Sequence, residues 1–71
     1  DLVLTRGVSV WGLEVKAGST VHAADCAGLR RLMHQAGASF RGGALLYAGS
    51  DVLPIPGTPF LAVPLRKLWE L

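Results

Sequence analysis

The stretch Trp11-Gly12-Leu13-Glu14-Val15-Lys16-Ala17-Gly18 decides how this chain folds. Its residues have strand character, and side chains two apart on a strand share a face. Leu13 and Val15 point one way. Val8, Val10, Gly12, Glu14 and Lys16 point the other. A carboxylate and an ammonium therefore stand side by side on a strand that otherwise reads as core. Both faces are partly apolar, so the strand is expected in the middle of its sheet.

The flanking sequence supplies the partners. Leu2-Val3-Leu4-Thr5 is a short apolar strand, and Arg6-Gly7 is a turn signal in which Gly7 provides the positive φ a tight hairpin needs. The two runs read as an antiparallel hairpin, which brings Asp1 roughly across from residues 12 to 14. Gly18-Ser19-Thr20 is a connection. From Ala23 to Ala36 the spacing of Cys26, Leu29, Leu32, Met33 and Ala36 predicts a helix with one apolar stripe. Its cap is His22 or Thr20. Asp25 lies in the first turn, where the helix dipole favours a carboxylate. Val21 and Cys26 can form a hydrophobic staple, and Gly37 ends the helix.

A polar link from Ser39 to Gly43 leads to a buried strand, Ala44-Leu45-Leu46-Tyr47-Ala48, and a turn at Gly49-Ser50-Asp51. Val52 to Pro59 holds three prolines and a glycine, which forbids a regular central strand. Phe60-Leu61-Ala62-Val63 is a short strand at a sheet edge or strand end. Leu65 to Leu71 forms a terminal helical turn or two, with Leu65, Leu68 and Trp69 turned inward. The order is β-β-α-β-β with a small C-terminal helix. This is an α/β (α+β) fold whose small mixed sheet joins an antiparallel hairpin to a parallel crossover.

Composition bounds the rest. Seventy-one residues make a single domain, 1–71, which buries only about 60% of its unfolded surface. Hydrophobic residues are 51% and charged residues 17% of the chain, so part of its apolar surface is expected to be covered by something outside it. Because the chain opens at Asp1 directly into a strand, it reads as a fragment of a longer protein. One cysteine, Cys26, excludes an intrachain disulfide and a cysteine-based zinc cluster, and fits a cytoplasmic setting. No apolar run is long enough to span a membrane. The formal charge of +2 permits nucleic acid as a partner without requiring it.

Asp1, Glu14 and Lys16 are the candidate catalytic residues. Two carboxylates at a strand end, Asp1 and Glu14, suit one Mg²⁺ or Mn²⁺, and a lysine beside them suits a phosphate or a metal-bound water. The plain reading beside this one is a same-face Glu14–Lys16 salt bridge. His22 and His34 are too far apart to share a metal, and Cys26 reads as a small core residue. Arg30, Arg31 and Arg41 suit either phosphate contact or a solvated face. Trp11 and Trp69 read as core or interface anchors.

Asp1, followed after twelve residues by Glu14-Val15-Lys16, resembles the PD-(D/E)xK nuclease motif. Four ordered blocks extend the likeness: Gly12 to Ala17, Asp25 to Arg30, Leu46 to Gly49, and Ala62 to Leu65 with Leu68-Trp69. Together they resemble the restriction-endonuclease-like C-terminal domain of prokaryotic AAA-type ATP-binding proteins. The resemblance implies a nuclease-like core lacking its first helix, and metal-dependent phosphodiester hydrolysis on nucleic acid in the full-length protein. The alternative is a catalytically silent interaction or dimerisation module attached to an AAA-type ATPase. On that reading the partners are the ATPase domain, the missing upstream segment or a second copy. The sequence departs from the family pattern at Cys26, usually aromatic, at Gly18, where a serine is common, and in having no helix and strand before Asp1. No phosphate-cradling glycine-rich loop is present in these residues.

Overall fold

The computed structural model describes residues 2–70. The hairpin forms as expected, from β1 (Leu2–Arg6) and β2 (Ser9–Val15), with Leu2 opposite Leu13 and Leu4 opposite Trp11. Gly7 turns it at φ 61°. A helical segment returns the chain to β3 (Phe40–Tyr47), which lies parallel to β2. β4 (Leu53–Pro54) and β5 (Leu61–Pro64) complete a five-stranded sheet in the order β1-β2-β3-β5-β4. A 3₁₀ segment, Leu65–Glu70, follows β5.

Three boundaries differ from expectation. The helix is split into a 3₁₀ turn, Ala23–Cys26, and α1 (Ala27–Ala36). β3 begins at Phe40, so the supposed link through Gly42 and Gly43 is strand. Glycine is a poor strand former in isolation. Here, pairing of Gly42 with Trp11 and of Gly43 with Gly12 overrides that local preference. The third is β5, which is not an edge. The proline-rich segment, barred from the sheet interior, supplies the two-residue outer strand β4 instead. Leu68 is exposed and not turned inward, while the side chain of Trp69 lies outside the described part of the structure.

All of the layering follows from strand parity. Gly12, Glu14, Gly43, Leu45, Tyr47 and Ala62 share one face by alternation and register. Helix α1 packs on that face, where Leu29, Leu45, Ala62, Phe60, Ile55 and Cys26 form the core. Two glycines form its seat. A Cβ at Gly12 would stand 2.6 Å from Leu32 Cδ2, and one at Gly43 would stand 3.1 Å from Leu29 Cδ2 and 3.2 Å from Phe60 Cδ1. A third glycine has a different task. The Tyr47 ring folds over Gly49, leaving no room for a Cβ there, and its hydroxyl donates to the Asp51 carbonyl. Arg30 on α1 donates to the Gly57 carbonyl at 2.6 Å and so holds the proline-rich loop to the helix.

Gly12→Val should lift α1 off the sheet and destabilise the domain by about 1–3 kcal/mol, the usual range for overpacking. In a domain of this size each kcal/mol lowers Tm by roughly 4–8 °C. Thermal unfolding checks this, and an unchanged Tm would show that α1 has slack over Gly12.

Candidate functional site

The candidate residues collect where β2 ends. Lys16 lies one position beyond the strand, and its backbone N–H still donates to the Leu46 carbonyl at 2.8 Å. The chain then loops through Ala17–His22 and enters the 3₁₀ turn. His22 is extended, and its N–H donates to Asp25 Oδ2 at 2.7 Å, while the Asp25 N–H returns to the His22 carbonyl at 2.9 Å. This reciprocal pair fixes the Asp25 carboxylate at the start of the helical segment.

Lys16 Nζ donates to the same Asp25 Oδ2, also at 2.7 Å. Lys16 therefore bridges to Asp25, a partner that neither reading of the Glu14–Lys16 pair named. The reason is geometric: Asp25 is anchored by backbone and the flexible lysine stem reaches it. Side-chain exposures of 27% and 25% leave the pair partly shielded. The hydrogen bond from Lys16, and then that from the His22 backbone, hold the Asp25 carboxyl below its ordinary value of 3.8.

Glu14 shares the helix-side face of the sheet, beside the fully buried Leu45. It is half-buried, and its Oε2 atom is closed off from solvent. Asp1, the other expected metal ligand, lies outside the described residues. Among those residues no group of three His, Cys, Asp or Glu side chains gathers. The described donors thus fit a divalent cation only as one half of the expected carboxylate pair. Cys26 is fully buried in the core, and burial pushes its thiol up, as suits a packing residue. Of the arginines considered for phosphate contact, Arg30 binds Gly57, and Arg41 donates to Ser9 Oγ and to the Ala38 carbonyl, each at 3.3 Å.

A second surface lies on the other face of the sheet. By strand parity it carries Leu2, Leu4, Arg6, Ser9, Trp11, Leu13, Val15, Gly42, Ala44, Leu46, Leu61 and Val63. Leu46, near the end of β3, is covered, but its neighbours on this face stand open. Val15 is 62% exposed, Leu2 52%, Leu61 47% and Leu4 45%. Because Gly42 and Ala44 are small, a groove of about 290 Å³ opens between them and Leu4, Trp11 and Leu13. The spacing of residues 2, 4, 11, 13 and 15 could have signalled this face. The small residues of β3 could not, because Gly42 and Gly43 read as a loop. Asp25 was visible only as a helix-dipole residue, since a nine-residue separation hides its contact with Lys16.

The family model described as "Domain of unknown function (DUF4143)" matches residues 1–68. No curated protein and no solved structure matches the chain. No helix among the described residues is long and apolar enough to cross a membrane.

Because the folded value of Asp25 lies below its unfolded value of 3.8, its stabilisation is present at pH values above the unfolded one and is lost as pH falls through the folded value. Asp25→Asn should remove that part of the acid dependence and lower stability at neutral pH. Urea unfolding between pH 2 and 7 reads both effects. Parallel curves for wild type and variant would mean that the bridge adds nothing.

Proposed function

The chain belongs to the DUF4143 family, a domain of unknown function, and we propose that it is an interaction module of nuclease-like ancestry attached to an AAA-type ATPase. The observation that carries this reading is the uncovered apolar sheet face. Parallel strands are ordinarily buried on both faces, and here Val15 of β2 and Leu61 of β5 are about half exposed or more on the face opposite α1. Large exposed apolar surfaces mark association sites. The ancestry and the ATPase rest on the resemblance of the four sequence blocks.

The size of the face sets its energetics. Five strands spaced ~4.8 Å apart and rising ~3.3 Å per residue give roughly 400 Å². Burying that area releases about 10 kcal/mol at ~25 cal/mol per Å². Association itself costs about 4–15 kcal/mol. The face can attract a partner, but specificity must come from its shape and its rim.

A second reading, metal-dependent phosphodiester hydrolysis, is favoured by Glu14 and Lys16 sharing one face at the end of β2. Asp1 and Glu14 would hold Mg²⁺ or Mn²⁺, which when bound supplies an activated water. Lys16 would hold a cationic ammonium toward the phosphate after leaving Asp25. The substrate class would be nucleic acid.

Replacing Leu4, Val15 and Leu61 with lysine should abolish binding of an apolar dye and any concentration-dependent association, with Tm lowered by no more than a few degrees. Wild-type protein that is monomeric at all concentrations and binds no dye would count against the interaction reading. For the second reading, nicking of supercoiled DNA in Mn²⁺ should be lost in both Glu14→Ala and Lys16→Ala. Equal nicking by these variants would remove it.

A further inference from the structure

The uncovered face is not uniformly apolar, and its one charged end indicates what it binds. Arg6 lies opposite Ser9 at the end of the hairpin. Next to them the register between β2 and β3 shifts, so that Val10 faces Phe40 while Trp11 faces Gly42. Arg41 is the extra residue of this bulge. Its guanidinium reaches Ser9 Oγ from the other side. Two exposed arginines therefore flank Ser9 on neighbouring strands, two residues from the half-buried Trp11 that walls the groove. None of the described strand residues on this face is acidic.

Resting on the interaction reading, we infer that the groove docks a partner segment that carries an apolar stripe and ends in acidic residues. The apolar side chains fill the groove over Gly42 and Ala44 between Leu4, Trp11 and Leu13. The carboxylates meet Arg6 and Arg41. Charge complementarity of this kind sets orientation and speeds encounter. A second copy of the chain is a poorer occupant on two counts. The strand residues of its equivalent face carry no carboxylate, and roughly 400 Å² per copy is about half of what a standard interface buries on each side.

Two synthetic peptides test this against the 71-residue chain. Both carry leucines at i, i+3, i+4 and i+7. One ends in three glutamates and the other in three lysines. Amide and indole NMR signals report where each binds. The acidic peptide should shift Trp11, Gly42 and Ala44, at least tenfold more tightly than the basic one. Its affinity should fall with added salt. Arg6→Glu with Arg41→Glu should reverse the preference, and Val8→Lys, outside the groove, should leave it unchanged. Equal binding of both peptides would overturn the charge assignment while leaving the face a docking surface. Shifts confined to β1, or self-association through the face without peptide binding, would overturn the proposed occupant. If neither peptide binds and the lysine-substituted face also behaves like wild type in dye binding, the interaction reading falls with it.

Discussion

Helix α1 can lie close to the sheet because Gly12 and Gly43 have no side chains. A methyl group at either position would press on Leu29 or its neighbours, and Leu29 belongs to the buried core. Much of the rest depends on this close approach. It buries Leu45 and Ala62 in a domain too small to waste contact area. At the start of the helical segment, Asp25 is fixed by the His22 backbone within reach of Lys16.

The same sheet has two unlike faces. One is closed by α1 and carries the charged cluster at its edge. The other exposes Leu2, Leu4, Val15 and Leu61 and is hollowed by Gly42 and Ala44. Small residues serve opposite ends on the two sides. On the closed face they admit a helix of this chain, and on the open face they leave a groove. The two outer strands also differ. β4 is two residues long and contains Pro54, which blunts it, whereas β1 runs for five exposed residues without proline.

The hairpin, the position of the helix and the mixed sheet were legible in the sequence because each rests on local signals. Alternation gave β2, three- and four-residue spacing gave the helix, and Gly7 and Gly37 gave its neighbouring turns. What escaped depends on contacts distant in sequence. Gly42 and Gly43 become strand only because β2 pairs with them. β5 is interior only because a proline-rich segment adds one short strand outside it. Of the candidate site, the shared face of Glu14 and Lys16 was legible from a two-residue spacing. The bridge from Lys16 to Asp25 was not, because a flexible lysine can satisfy itself on either carboxylate and sequence does not rank them. Asp1 lies outside the described residues, so the metal pair rests on resemblance.

The central claim is that one face of this sheet is closed by α1 while the other stands open and apolar. Methyl NMR in the presence of an inert, soluble paramagnetic agent tests it most directly. Methyl signals of Leu4, Val15 and Leu61 should broaden strongly, while those of Leu29 and Leu45 should be protected. Equal protection of both groups in a monomeric sample would contradict the account, because it would mean that the chain covers both faces by itself.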